Sequence, residues 1–208
     1  MSKFTVGGLF SGVGGLELGF EKAGFDISWS NEKDKAACET YKLNHPSHNL
    51  IEGDIWALLK EKDFPPSSPD ILVGGFPCQS FSIAGYRRGL DDERGNLFYS
   101  IIDVIKKMNN MPKALVLENV KNLRTHDKGE TSREINKQLE DLGYSRIWHI
   151  YNTSNYTDIP QNRERTVIVC FKGEKDHGLF KDELCSGYFD ANKELMKSVK
   201  KRPISDFL

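Results

Sequence analysis

Seven short runs rich in β-branched and aromatic residues recur along the 208-residue chain, and between most of them the apolar spacing changes to helical intervals. The runs are "FTVGGLF" (4–10), "FDISWS" (25–30), "NLIEG" (49–53), "DILVGGF" (70–76), "ALVLEN" (114–119), "RIWHIY" (146–151) and "RTVIVCF" (165–171). After the first run, "GLELGFEKAG" spaces Leu16, Phe20 and Ala23 along one helical face and stops at Gly24, a C-cap residue. "DKAACETYKLN" follows the second run, and "NLFYSIIDVIKKM" aligns Leu97, Ile101, Val104, Ile105 and Met108 on one side. "TSREINKQLEDLG" again ends on glycine. This alternation predicts an α/β fold in which helices cover both faces of a largely parallel sheet. The last two runs are joined by "NTSNYTDIPQNRE", which has no helical pattern, so they are expected to pair antiparallel at the sheet edge. The expectation is a seven-stranded mixed sheet.

The length suits one substantial domain. From residue 172 the periodic signal fades into a polar, irregular stretch, so a domain over 1–171 and a partly ordered tail over 172–208 are expected, with one short helix in "ANKELMKSVKK". Hydrophobic residues at 38% and charged residues at 28% fit a globular chain, and nothing approaches the about 18 apolar residues of a membrane span. No signal peptide opens the sequence. A formal net charge of -1 gives no global attraction for nucleic acid, so any such surface must be local. Cys38, Cys78, Cys170 and Cys185 lack CxxC spacing and do not cluster with histidines, which argues against a metal site or a disulfide framework. A reducing, cytoplasmic setting is expected.

The chemistry-bearing residues gather where the runs end. "FSGVGGLELGF" puts Gly12, Gly14 and Gly15 in a tight turn that feeds a helix, where backbone N–H groups can approach a ligand. The spacing is G-x-G-G, not the G-x-G-x-x-G of dinucleotide sites. The second run leads into "SNEKD", and Glu32 lies about 20 residues beyond the glycines, where an acidic side chain can accept both hydroxyls of a ribose. Taken alone, Glu32 serves equally well as a carboxylate at a helix start. The third run ends in "EGDI": Asp54 can accept from the exocyclic amine of adenine, with Ile55 against the ring. These three tips suit an adenosine-containing cofactor along the carboxyl edge of the sheet. The fourth tip carries Pro77-Cys78, a cysteine on a stiff corner, and the fifth carries "LENV" with Glu118. In "QNRER", Gln161, Arg163 and Arg165 are expected on one strand face, since strand side chains alternate.

In this order and spacing, "FSGVGG", "SNE", "GDI", "GFPCQSFS", "RGNLF", "ENV" and "QNRER" resemble the cytosine-C5 DNA methyltransferases of bacterial restriction–modification systems, from residue 10 to about 171. The resemblance implies a Rossmann-like S-adenosylmethionine-dependent methyltransferase fold. It implies S-adenosylmethionine bound through Phe10, Ser11, Gly12, Gly14, Gly15, Glu32, Lys33, Asp54, Ile55, Phe76 and Leu97. Lys33 stands where some relatives have a tryptophan against the adenine, a departure that predicts weaker cofactor binding. Cys78, Glu118, Arg163 and Arg165 are the implied catalytic set. Carbon-5 of cytosine is too electron-poor to attack a methyl group, and addition of a thiolate at carbon-6 makes it enamine-like. Glu118 would hydrogen-bond ring N3, which asks for a buried, neutral carboxyl. By resemblance Arg165 contacts the base O2 and Arg163 helps hold the pocket.

A base inside a duplex must be flipped out before a thiolate can reach it. The segment 79–96 resembles the family's mobile catalytic loop, and Gln79, Ser82, Ile83, Arg87, Arg88 and Arg94 are the candidate contacts to double-stranded DNA, with Ile83 or Arg87 entering the vacated space. "KNLRTHDKG" (121–129) is a second basic group. Three other readings stand beside this one. A nicotinamide-dependent dehydrogenase is disfavoured by the G-x-G-G spacing and has no use for Cys78. A non-catalytic DNA-binding relic has no reason to keep Cys78, Glu118 and Arg165 together. An RNA-directed cytosine methyltransferase would differ in its substrate. The family's target-recognition region and last motifs have no counterpart here, so a second polypeptide carrying them is the expected partner, with loss of that part by truncation as the alternative.

Overall fold

Two glycines in the first strand let the sheet close tightly around a tryptophan and a carboxyl. A Cβ on Gly7 would lie 2.8 Å from Trp29 Cζ2, and one on Gly8 would lie 2.0 Å from Glu17 Oε1. That strand, β1 (Thr5–Leu9), is therefore flanked closely on both faces. The computed structural model describes residues 4–77, 97–157 and 159–173. The remaining strands are β2 (Asp26–Glu32), β3 (Leu50–Glu52), β4 (Ile71–Gly75), β5 (Ala114–Val120), β6 (Tyr144–Asn152) and β7 (Glu164–Lys172). Their order across the sheet is β3-β2-β1-β4-β5-β7-β6. The first five pair in parallel, while β7 is antiparallel to both β5 and β6. All seven expected strands and the antiparallel edge pair are present, in a Rossmann-like arrangement.

Helices α1 (Gly15–Lys22), α2 (Lys35–Asn44), α3 (Ile55–Leu58), α4 (Leu97–Lys107), α5 (Glu130–Asp141) and α6 (Thr153–Tyr156) lie between them. Helix α4 carries the strongest apolar face and buries Phe98, Ile101, Ile102, Val104 and Ile105 against the core. That core includes Leu9, Trp29, Leu72, Leu115, Leu117 and Ile168. Gly24 and Gly143 take the left-handed φ of helix C-terminal positions, at 92° and 78°. No helix among the described residues is long and apolar enough to cross a membrane.

Three expectations need correction. In α1 the buried residue is Glu17; Leu16 and Phe20 are half-buried and Ala23 is exposed. Strand β7 begins at Glu164, so Gln161 and Arg163 precede it and do not share a strand face with Arg165. Their backbones are held otherwise: Arg163 N–H donates to Gln161 O (3.0 Å) and to Asn152 Oδ1 (3.2 Å), a local turn following Pro160. The β6–β7 connection also contains a short helix, α6, started by Asn152 Oδ1 accepting from Ser154 N. The tail expected from residue 172 falls outside the described residues after Gly173.

The chain runs outward from β1 through β2 to β3, then crosses back to place β4 on the other side of β1. This reversal is a topological switch point, and ligands in open α/β sheets bind at the carboxyl ends of the strands beside it.

Candidate active site

A cavity of about 220 Å³ opens at that point, lined by Phe10, Asn31, Glu32, Lys33, Gly53, Asp54, Ile55, Gly75, Pro77 and Leu97. Six of the expected cofactor residues are among them: Phe10, Glu32, Lys33, Asp54, Ile55 and Leu97. Asn31, Gly53, Gly75 and Pro77 were not foreseen.

Glu32 ends β2 with both carboxylate oxygens aimed by backbone donors. Oε2 accepts from Gly12 N–H (2.7 Å), and Oε1 accepts from Lys33 N–H and Asp34 N–H (both 2.8 Å). The helix-start role belongs to Asp34, whose Oδ1 accepts from Ala37 N–H (2.8 Å). Glu32 thus ties the glycine turn to the second strand. Asp54 begins α3, with Oδ1 accepting from Trp56 N–H (2.9 Å) and Oδ2 facing the Lys33 ammonium (3.3 Å). Asn31, 1% exposed, fixes the strand tips by donating from Nδ2 to Ile51 O and Gly53 O, each at 3.0 Å.

Other expected cofactor residues face elsewhere. Ser11 turns its hydroxyl to Glu17 Oε1 (2.5 Å), Phe76 packs in the core against Phe98, and Gly14 lies against Tyr41 and His45. Burial pushes the Glu17 carboxyl up from its ordinary pKa, opposed by the Ser11 hydrogen bond.

Gly75 of the cavity lining is paired in register with Glu118, and a Cβ on Gly75 would lie 3.4 Å from Glu118 Oε2. Glu118 Oε1 receives Arg165 Nε at 3.0 Å, both side chains 27% exposed. Register explains the meeting, because Arg165 on β7 is paired with Val120 on β5. The site therefore holds Glu118 in an ion pair at the half-exposed end of β5, not in the buried apolar setting that the sequence argument asked for. Arg163 is exposed and outside the cavity lining. Asn119, missed by the sequence reasoning, donates from Nδ2 to Phe76 O (2.7 Å) and so anchors the chain just before Pro77-Cys78. Its place between Glu118 and Val120 in "ENV" was the available signal. Cys78, Gln79, Ser82, Ile83, Arg87, Arg88 and Arg94 lie outside the described residues. In the 121–129 segment, Lys121 is paired with Glu164 (2.6 Å), while Arg124 and Lys128 are exposed.

One other cluster invites a metal reading. Glu21, His45 and His48 bring potential ligand atoms within 4.8 Å of one another. The imidazole planes, however, are stacked 12° apart, so their in-plane lone pairs do not converge on one point. His48 Nδ1 is bonded to the Tyr41 hydroxyl (2.9 Å), which also meets Ser30 Oγ (2.8 Å). The cluster packs the end of α2 under the glycine turn.

Parallel strands, a glycine turn into α1, carboxylates at the tips of β2 and β3, and an antiparallel β6–β7 edge define the Rossmann-like methyltransferase class. Comparison with known proteins narrows this: residues 4–205 match the model of the C-5 cytosine-specific DNA methylase family, and the chain belongs to that family. S-adenosylmethionine is the methyl donor of this family. The chain is 45% identical over 169 residues to the Type II methyltransferase M.Bsp6I of Bacillus sp. (strain RFL6), covering 80% of this chain and 52% of that one. It is 47% identical over 171 residues to the Type II methyltransferase M1.ScrFI of Lactococcus lactis subsp. cremoris, covering 82% and 42%. It thus spans about half the length of these relatives or less. The S. pombe Dnmt2 methyltransferase shares the fold with a TM-score of 0.71 at 23% identity, covering 99% of this chain and 59% of that one.

Proposed function

We propose that this chain is the catalytic part of a DNA cytosine-5 methyltransferase of the restriction–modification kind. The observation that carries the reading is the Glu118–Arg165 pair, 3.0 Å apart, against Gly75, which lines the same cavity as Pro77, Glu32 and Asp54. A carboxyl and a guanidinium meet there, and the sequence puts Cys78 directly after Pro77 of the cavity lining. S-adenosylmethionine supplies an electrophilic methyl group when bound.

Glu32, already oriented by three backbone N–H groups, accepts the ribose hydroxyls. Asp54 accepts the adenine amine, and Ile55 and Leu97 bracket the ring. On the flipped cytosine, the Cys78 thiolate forms a bond to carbon-6. Glu118, in its protonated form, gives its proton to N3 as the sulfur adds, Arg165 donates to O2, and carbon-5 becomes nucleophilic. Once carbon-5 has taken the methyl group and S-adenosylhomocysteine is left, the carbon-5 proton passes to a base such as water, the carbon-6–sulfur bond breaks to release the thiolate, and N3 returns its proton to Glu118 as the ring regains aromaticity. Arg165 also fixes Glu118, so the two act as a unit. Arg163 is left a supporting role outside the cavity, and Gln79, Ser82, Ile83, Arg87, Arg88 and Arg94 are the proposed DNA contacts.

Target recognition, in this reading, comes from a second polypeptide. What supports it is the exposure of apolar side chains that a docked chain would cover: Val13 at 53%, Leu18 at 38% and Leu43 at 83%. The test has two arms. DNA carrying 5-fluorocytosine, with S-adenosylmethionine and the partner chain supplied, should form a covalent adduct that maps to Cys78 and is lost in Cys78→Ser. Glu32→Ala and Asp54→Ala should each weaken S-adenosylmethionine binding by about 1–3 kcal/mol. An adduct on Cys38, Cys170 or Cys185 overturns the catalytic assignment, and unchanged calorimetric affinity in both alanine variants overturns the pocket.

A further inference from the structure

The turn at the mouth of the cavity has a backbone that its residues do not favour. Phe10 has φ of 56°, in the left-handed region where a bulky residue is strained, and Gly12 (55°) and Gly14 (90°) share that region. A strained segment persists only where its surroundings over-determine it. Here the peg is Ser11. Its N–H donates to Asn31 O (3.0 Å), its carbonyl accepts from Gly14 N–H (2.9 Å), and its hydroxyl donates to Glu17 Oε1 (2.5 Å).

Glu17 is completely buried in the first turn of α1, and its Oε2 has no hydrogen-bond partner. Helix packing alone gives no reason for a carboxyl in this place, since a leucine fills similar space without the desolvation penalty. The first strand makes room for it: Gly8 is the one position where a Cβ would collide with Glu17 Oε1. A carboxyl that is costly to bury, admitted by a glycine and bonded to the central residue of a strained turn, has a purpose in the turn.

We propose that Glu17 is a positioning residue for the cofactor site, holding residues 10–14, through Ser11, in the conformation that presents Phe10 to the cavity and Gly12 N–H to Glu32. This rests on the S-adenosylmethionine reading of the cavity. The role needs only an acceptor at Oε1, which an amide also provides. Burial pushes the carboxyl pKa up, and glutamine keeps the shape and the acceptor at that position.

The experiment titrates the full chain with S-adenosylhomocysteine by calorimetry and records thermal melts for Glu17→Leu, Glu17→Gln, Ser11→Ala and the Glu17→Leu/Ser11→Ala pair. Glu17→Leu should weaken binding about tenfold or more, the scale of one lost buried hydrogen bond, with a melting temperature equal to or above that of the parent. Glu17→Gln should bind within about threefold of the parent. Ser11→Ala should reproduce the leucine effect, and the double variant should be no worse than either single one. If Glu17→Leu fails to fold, Ser11→Ala and Glu17→Gln carry the test. Parent-like binding by Glu17→Leu or Ser11→Ala overturns the proposal. So does a loss of affinity that tracks lost stability equally in the leucine and glutamine variants. Should Glu32→Ala and Asp54→Ala weaken binding while Glu17→Leu does not, this proposal alone fails; should none of them weaken it, the cavity reading fails.

Discussion

Replacing Asn119 by alanine removes two hydrogen bonds at once, the 2.7 Å bond from Nδ2 to Phe76 O and the 2.8 Å bond from Val120 N–H to Oδ1. Asn119 is 2% exposed, so the Phe76 carbonyl loses a buried donor that water cannot readily replace. An unsatisfied buried polar group costs about 1–3 kcal/mol, and the small void adds roughly 0.5 kcal/mol. The expected destabilisation is therefore about 1.5–3.5 kcal/mol. Asn119→Asp keeps the shape but turns the donor into an anion facing a carbonyl, and about 3–5 kcal/mol is expected at neutral pH. The carboxyl can donate to Phe76 O only when protonated, so its folded-state pKa is raised above the usual ~3.9. Stability linked to such a group is fully present below the unfolded pKa and lost as pH rises through the folded one. The aspartate variant should therefore recover stability relative to alanine as pH falls from about 7 toward 4. Urea unfolding of both variants across that range measures this. An alanine variant within about 0.5 kcal/mol of the parent, or an aspartate variant no worse than alanine at pH 7, refutes the idea that Asn119 clamps the approach to Cys78.

Two further outcomes are expected. Burial pushes the Tyr41 hydroxyl and the Cys170 thiol each up to about 12. Both are favoured neutral in the fold, so their contribution is intact below the unfolded values of about 10 and 8.5 and is lost as pH rises toward 12. Unfolding midpoints should fall over that window, more shallowly in Tyr41→Phe; a parent whose stability is flat from pH 9 to 12 contradicts this. Lys33→Met frees Asp54 Oδ2 from the exposed ion pair at 3.3 Å and should tighten S-adenosylhomocysteine binding by up to about fivefold, the upper end for such pairs. Weaker binding would mean that Lys33 contributes to the ligand directly.

The strands were legible because each combines β-branched or aromatic residues with a turn signal, and the α4 face because its apolar spacing is regular. The extension of β2 through Asn31 and Glu32 was not, since two polar residues read as the end of a strand. Asn31 is buried because its amide bridges to β3, a tertiary fact. Glu17 was missed for a similar reason: amphipathic reading looks for apolar residues on the inner face, and here the inner residue is a carboxyl. Gly8 was the hint, as glycine inside a strand marks a close approach. Glu118 and Arg165 were found as a pair through the family resemblance, but their contact depends on the β5–β7 register. The alternation argument took Arg163 with Arg165 because it assumed a strand that local turn bonds in fact delay to Glu164.

The order β5-β7-β6 has a consequence for how the chain is made. Strands β1 to β5 emerge in sequence and can pair as they appear, but the outer edge of β5 must wait for the last strand. The roughly fifty residues from the end of β5 to the end of β7 take about 3–10 s at ordinary ribosomal speeds. Throughout that interval Ala114–Val120 presents unpaired backbone to its surroundings, an invitation to intermolecular pairing. Strand β6, already synthesised, cannot relieve it, because its own partner is also β7. Arrival of β7 therefore closes two open edges in one step and in the same motion brings Arg165 to Glu118, so this ion pair and protection from aggregation mature together.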